Sequence, residues 1–388
     1  MNTMNAIASN PHAPPHTGSI GIGGHKLIIG ALCFVALTGA VLYYQFSLIQ
    51  DGSAPPRWDQ LRWIYFLLIL LFLPVETLAS ATRLWLVCRV LQPGIGLWSC
   101  IKAEWANIAV STLTPSQTGG GPAQVYMLGR DGVKAATALT ISLISFMGTM
   151  VALICIGLYL LFVSGMAQTG GLFVAAVWTL VSISGAMLLA GVWPGFFRGA
   201  LGALSRTVWR LAGKRYPLYE WRRPGDARIG EPVDRLDRFT TKLVDLLYGY
   251  RSDCARFLRD GKTTFVGVGL LSLVFLFSRC FIPYLCIRFL GIESSDLRHI
   301  LEAQLALTFL VFFAPTPGSA GVAEAASMTL MSEIMPAGFA MVYTLLWRFS
   351  TVYLTAIAGL FCLLRAVTQD AIRCIPNSGN SPRWRKTL

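Results

Sequence analysis

The sequence predicts an all-α, polytopic helical membrane protein with about six full spans and two re-entrant hairpins that form an inverted repeat. Composition is the first observation, since 54% of the residues are hydrophobic and 13% are charged, whereas about a quarter are charged in soluble domains. Apolar runs long enough to cross a hydrocarbon core of ~30 Å are the second. Two Pro/Gly-rich breaks, 200 positions apart, are the third. Paired breaks in corresponding halves indicate a transporter-like binding site.

The N-terminal tail, residues 1–25, is rich in Gly, Pro, Ser and Asn and is predicted to be disordered. The run 27–49 is too long for a signal-peptide core and predicts a retained first span. Further full spans are predicted at 63–81, 135–163, 172–193, 263–287 and 337–364. Arg83 and Arg89 are interpreted as marking the membrane interface after the second span.

Two shorter apolar segments, 97–113 and 301–313, each end in a break and are predicted to re-enter the membrane rather than cross it. An ungapped offset of 200 places Pro115 on Pro315 and Gln124 on Glu324. Helix breakers at membrane depth are tolerated where protein or a water-filled cavity satisfies the freed backbone groups. The predicted break residues are Pro115, Gly119, Gly120, Gly121 and Pro122, then Pro315, Pro317, Gly318 and Gly321.

Positive charge predicts the orientation. A basic loop at 197–262 contains fifteen Lys and Arg against eight Asp and Glu, and the tail 366–388 is also basic. The positive-inside rule places both basic segments, and therefore both termini, on the cytoplasmic side of the membrane. We expect this membrane to be the bacterial inner membrane. The loop is expected to contact anionic lipid headgroups rather than nucleic acid.

Apolar residues at helical spacing within this loop predict an amphipathic helix. It would lie on the cytoplasmic leaflet or pack against the ends of neighbouring spans, and packing is the favoured alternative. These residues are Leu236, Phe239, Leu243, Leu246, Leu247 and Tyr250.

Charged residues inside spans cost roughly 2.5–3.5 kcal/mol each and usually face an interior or a pathway. One hypothesis is a midplane cavity in which Arg279 and Arg348 bind an anionic group, since guanidinium suits phosphate. The alternative is that these arginines only neutralise Glu76 or Glu324 in structural pairs. The candidate substrate-binding residues are Arg279, Arg348, Glu324, Glu104, Glu76, Gln124 and Ser116.

No motif predicts catalysis, a metal or a cofactor. Gly119–Gly121 lacks the G-K-[ST] ending of a phosphate-binding loop. The four histidines form no catalytic or metal-binding pattern, and the nine cysteines show no C-x-x-C spacing. We therefore expect neither an enzyme nor a disulfide framework.

The chain resembles the lysylphosphatidylglycerol synthase transmembrane region, a flippase-like membrane family. The resemblance rests on Leu113–Pro115 with Gly119–Gly121, Pro122, Gln124 and then Leu128–Gly132, on Pro315–Gly318 through Gly321 and Glu324, and on Leu345–Arg348. It covers roughly 26–365. It implies a domain that handles lipids. The family's best-understood members also carry an aminoacyl-transferase domain, which we do not expect here because the central loop and tail are too small.

The leading hypothesis is therefore a lipid translocase that handles an anionic or modified headgroup. One alternative is a membrane-embedded enzyme that transfers a group onto a lipid, with Glu104 or Glu324 in the chemistry. A further alternative is a non-transporting membrane partner of a lipid-modifying enzyme, docking through the basic loop.

Overall fold

The structure is a computed structural model that describes residues 58–162, 171–192, 235–293, 297–331, 335 and 337–373, with single positions between 32 and 47. The predicted tail 1–25, most of the predicted span 27–49, the first part of the basic loop and residues 374–388 lie outside the described residues.

Within these ranges all regular structure is helical, apart from one isolated β-bridge. A short 3₁₀ turn, Trp58–Gln60, precedes the first long helix, and a π-helical turn, Phe349–Tyr353, joins the last two. The α-helices are α1 (Trp63–Leu91), α2 (Leu97–Leu113), α3 (Gly120–Arg130), α4 (Ala135–Phe162), α5 (Gly171–Val192), α6 (Arg235–Asp260), α7 (Lys262–Phe289), α8 (Leu297–Phe313), α9 (Val322–Met331), α10 (Ala337–Arg348) and α11 (Leu354–Arg373).

Among the described residues, four helical stretches are long and apolar enough to cross a membrane: Trp63–Leu91, Ala135–Tyr159, Lys262–Phe289 and Phe339–Asp370. They overlap four of the predicted spans. A fifth prediction, 172–193, coincides with α5. The all-helical class is thus confirmed for the described part of the chain.

Two helices continue past the predicted ends of their spans. Helix α1 contains Pro74 and continues to Leu91, ten residues past the predicted end of the span, because no helix breaker occurs between Ala81 and Pro93. Arg83 and Arg89, interpreted as marking the membrane interface, consequently lie inside this helix. At the other end of the chain, α11 runs to Arg373, so the tail predicted to begin at 366 is helical over its first eight residues.

The helices form an internal repeat. In the first half α1, α2 and α3 contain 29, 17 and 11 residues, and in the second half α7, α8 and α9 contain 28, 17 and 10. A further helix follows each set, α4 in the first repeat and α10 in the second, where it continues through the π-turn into α11. The same order and lengths recur, as the paired breaks predict.

Each repeat forms most of one hydrophobic cluster. The first cluster combines α1 to α4 with residues of α6, α7 and α11, and the second combines α7 to α10 with the start of α1. A third cluster combines α4 and α5 with α7. The two repeats meet along α1 and α7. Helix α11 crosses α2 so closely that a Cβ on Gly359 would lie 1.8 Å from the carbonyl oxygen of Trp105.

The predicted amphipathic helix exists as α6 and packs against neighbouring helices over its second half. Tyr250 and Phe257 are buried, and the Tyr250 hydroxyl donates to the carbonyl of Met187 over 3.3 Å. Arg256 donates to the carbonyl oxygen of Leu91 over 2.6 Å, at the end of α1. The described second half of α6 therefore packs on neighbouring helices, in agreement with the favoured alternative, while the side chains of Leu236, Phe239, Leu243 and Leu247 lie outside the described residues.

Candidate functional site

The two helix breaks are in direct contact. Pro115, between α2 and α3, forms an antiparallel β-bridge with Pro317, between α8 and α9. An antiparallel bridge relates its two segments by a local two-fold axis, as expected where equivalent parts of two repeats meet. The breaks therefore form one structural centre, which we call the paired breaks: residues 114–121 and 314–321.

Backbone conformation aligns the two turns at an offset of 202 rather than 200. Ser116 and Gln117 have positive φ angles of 50° and 56°, and Gly318 and Ser319 have φ angles of 56° and 58°. The equivalent of Pro115 is thus Pro317, and the ungapped match to Pro315 is wrong within the turns. The helices before the turns end 200 positions apart, so the second break contains two extra residues, Ala314 and Pro315.

The glycines of the first break have a different role from the predicted one. The left-handed conformation falls on Ser116 and Gln117, whereas Gly120 permits close packing. A Cβ on Gly120 would lie 2.0 Å from both Asn107 Oδ1 and Ser111 Oγ of α2. In the second break, Gly318 and Gly321 do adopt positive φ, at 56° and 82°. Gly121 and Pro122 lie in the first turn of α3, where proline is tolerated.

A buried ion pair holds the second break. Arg348 donates through Nε to Glu324 Oε1 over 2.8 Å and through Nη2 to the Gly318 carbonyl over 3.1 Å. The other carboxylate oxygen of Glu324 accepts the N–H of Gly321 over 2.6 Å. Both side chains are at most 3% exposed. Glu324 thus already fills the anion-favouring N-terminal end of α9.

Neutral hydrogen bonds hold the first break. Thr114 Oγ1 accepts the N–H of Gly119 over 2.9 Å and donates to the Val110 carbonyl over 2.9 Å. Ser111 donates to Asn107 Oδ1 over 3.2 Å beneath the same turn. No charged side chain among the described residues makes an equivalent contact with this break.

A second ion pair joins the two repeats. Arg279 of α7 donates to Glu76 of α1 over 2.9 Å. The Arg279 side chain is 29% exposed and the Glu76 side chain is 10% exposed, so this pair is more accessible than the Arg348–Glu324 pair. Both predicted arginines therefore pair with the acids that the structural alternative named.

Glu104 and Gln124 belong to a buried polar cluster at the base of the first break. Glu104 has Ser80, Asn107 and Gln124 as hydrogen-bonding neighbours. Ser142 donates to Gln124 Oε1 over 2.5 Å. Ser116, in contrast, is exposed on the turn, and no described contact joins it to the charged residues. The predicted set is thus divided among four places: two ion pairs, the polar cluster and the exposed turn.

The prediction missed Arg83, which is 6% exposed within α1. It donates to the hydroxyls of Thr149 on α4 and Ser272 on α7, and Glu104 lies within electrostatic range. Its guanidinium lies 5.5 Å from the Phe275 ring centroid, and that of Arg279 lies 5.9 Å from the same centroid. A usable sequence signal was present, since Arg83 is two helical turns from Glu76 on the same helix face.

The described residues contain no group of His, Cys, Asp and Glu suited to a metal ion. The cysteines within them are free, and Cys88 and Cys100 approach to 3.9 Å between sulfur atoms in the core.

Comparison with known proteins assigns the family. The lysylphosphatidylglycerol synthase TM region family matches residues 27–359. A UPF0104 membrane protein of Archaeoglobus fulgidus is 23% identical over 337 residues, which cover 86% of this chain and 94% of that protein. The four long apolar helices agree with such a family. The chain is an integral membrane protein of lipid-related function, and it belongs to the lysylphosphatidylglycerol synthase transmembrane region family.

Proposed function

We propose that the protein is a lipid translocase that moves an anionic or modified phospholipid headgroup between leaflets. The observation that carries the proposal is the contact between the paired breaks, Pro115 to Pro317, within a repeated helical membrane domain. Transporters built from inverted repeats place their substrate sites where discontinuous helices of the two repeats meet. Family membership supports a lipid as the substrate.

Arg279 is proposed to bind the headgroup. Its side chain is more exposed than that of Arg348, and one carboxylate, Glu76, holds it in the resting state. A phosphate oxygen would take the place of the Glu76 carboxylate, since both accept charge-assisted hydrogen bonds from guanidinium. Arg348 makes two hydrogen bonds at the second break that a ligand would disrupt, so its proposed role is to hold that turn.

Alternating access requires one repeat to rock against the other. The contact between Pro115 and Pro317 lies on the boundary between the repeats. We therefore infer that this contact opens during each transport cycle. The two hairpins would enter the membrane from opposite faces. Both termini would lie on the cytoplasmic side of the inner membrane, where the basic loop would contact anionic lipid headgroups.

Leaflet exchange in reconstituted vesicles tests the function. Short-chain fluorescent phosphatidylglycerol, its lysyl ester and phosphatidylcholine are each placed in one leaflet, and albumin extraction then measures the lipid remaining in the outer leaflet over time. We expect exchange well above that of protein-free vesicles for at least one of the first two lipids. Equal, background-level exchange for all three would refute the proposal.

Three variants test the binding role of Arg279. Glu76→Gln removes the competing carboxylate while keeping the shape of the side chain, so headgroup affinity is expected to rise. Arg279→Gln is expected to lower exchange at least tenfold, and Arg279→Lys to restore part of it. If Glu76→Gln and Arg279→Gln weaken binding equally, the ion pair is structural and Arg279 is not a ligand. No covalent change to the lipid is expected when it is incubated with an aminoacyl donor.

A further inference from the structure

Arg83 differs from Arg279 and Arg348 in lacking a carboxylate partner. Arg279 and Arg348 form ion pairs of 2.9 Å and 2.8 Å, whereas no described carboxylate lies within ion-pair distance of Arg83. Glu104 acts on Arg83 only electrostatically and has Ser80, Asn107 and Gln124 as its own hydrogen-bonding neighbours. The positive charge of Arg83 is therefore buried with neutral direct partners.

The guanidinium also has unused donor capacity. Both of its hydrogen bonds, to Thr149 and Ser272, come from Nη1. Its Nε is buried and has no partner among the described residues. Buried donors in native structures are almost always satisfied, so an orphaned one calls for an explanation. A buried charge with incomplete partners is costly to keep unless a ligand completes it.

Arg83 lies close to Arg279, the residue proposed to bind the headgroup. The guanidinium carbons of Arg83 and Arg279 are each within 6 Å of the Phe275 ring centroid, so they lie at most about 12 Å apart across that ring. Both cations lie over the Phe275 ring, as in cation–π contacts, so a phosphate bound at Arg279 would lie near a second guanidinium. Planar guanidinium also binds phosphate oxygens with good geometry.

We propose that Arg83 is a second anion-binding residue, which binds a phosphate group through Nε after Arg279 has bound it. The proposal rests on the proposed function insofar as the phosphate belongs to a lipid, although free phosphate offers the same oxygens. Thr149 and Ser272 would position the guanidinium by holding Nη1.

Thermal melting of the purified full-length protein, with three probes, tests this site. The probes are inorganic phosphate, dihexanoyl phosphatidylglycerol, and dihexanoylglycerol, which lacks the phosphate. We expect one or both phosphate probes to raise the Tm of the wild type. Arg83→Gln is expected to lower the affinity for that probe at least tenfold. Arg83→Lys should retain part of the affinity. Arg130→Gln, which removes a partly exposed ion pair with Asp370, should bind as the wild type does.

A structural role for Arg83 gives the opposite result. Without a probe, Arg83→Gln is expected to melt at or above the temperature of the wild type, because it removes a charge that no carboxylate pairs. A lower Tm together with unchanged probe affinity would overturn the proposal. So would equal binding of dihexanoylglycerol, since recognition would then be apolar.

The outcome separates the two proposals. Arg83-dependent phosphate binding without leaflet exchange of any lipid would reject the translocase and keep the anion site. Leaflet exchange that is as fast in Arg83→Gln as in the wild type would keep the translocase and reject the anion site. Binding of free phosphate alone would identify a soluble anion as the ligand, and binding of phosphatidylglycerol alone a lipid headgroup.

Discussion

The two breaks have the same backbone turn but are held in place by different chemistry. In the first, hydroxyls and a close glycine contact hold the chain between α2 and α3. In the second, a fully buried ion pair joins the turn to α10. The comparison teaches that a repeated turn conformation does not require repeated side chains. It also predicts that the two breaks respond differently to substitution.

The largest effect is expected at the ion pair of the second break. Arg348→Met leaves the Glu324 carboxylate buried without its cation, and breaking such a pair costs about 3–5 kcal/mol. The melting temperature of the purified protein in detergent measures this loss of stability.

A double substitution is the control for this pair. Glu324→Gln combined with Arg348→Met removes both charges, and we expect it to recover more than half of the lost stability, since such replacements are often neutral. If the double variant is as unstable as the sum of the single variants, the two side chains do not act as a pair.

The next effect is expected at the glycine contact of the first break. Gly120→Ala places a methyl group 2.0 Å from Asn107 Oδ1 and Ser111 Oγ, and overpacking costs about 1–3 kcal/mol. Gly121→Ala is the matched control, because its Cβ would meet nothing within 4 Å, and alanine is favoured over glycine in a helix by about 0.5–1 kcal/mol. The melting temperatures of the two variants should therefore shift in opposite directions from that of the wild type, down for Gly120→Ala and up for Gly121→Ala. Equal shifts would mean that α2 and α3 are not packed through Gly120.

The smallest effect is expected at the neutral cap of the first break. Thr114→Val keeps the shape of the side chain but removes the acceptor for the Gly119 N–H, which costs about 1 kcal/mol. Thr118→Val, which loses a hydrogen bond of 3.0 Å at an exposed position, should cost less. A Thr114→Val loss as large as that of Arg348→Met would show that the two breaks are not held differently.

The sequence predicts those features that depend on local breakers. Helix α2 ends at Leu113 as predicted because Pro115 cannot continue it, and the repeat is visible because the helices keep their order. The offset of 202 residues between the two turns cannot be read from the sequence. One of the two extra residues is itself a proline, Pro315, so Pro115 still finds a match without a gap. The sequence indicates Glu76 and Glu324 as possible partners of Arg279 and Arg348 but does not assign one acid to each arginine. A pattern of charges gives no distance between side chains that are far apart in sequence.

Arg83 shows why the candidate site was only partly predictable. Arg83 and Arg89 close together suggest an interface by their charge, whereas packing of α1 against α4 and α7 places Arg83 in the interior. That arrangement depends on contacts between helices far apart in sequence, which local patterns do not encode.

A reversible cross-link between the paired breaks tests the central claim most directly. In a background from which the nine native cysteines have been removed, Pro115→Cys and Pro317→Cys place two thiols on bridged residues, at a spacing that suits a disulfide. Leaflet exchange of short-chain fluorescent phosphatidylglycerol, or of its lysyl ester if that is the lipid moved, is then followed by albumin extraction before and after reduction. We predict that the disulfide forms readily, that it stops exchange, and that reduction restores the rate of the uncrosslinked protein. Failure to cross-link, or exchange that continues unchanged in the oxidised protein, would contradict this account.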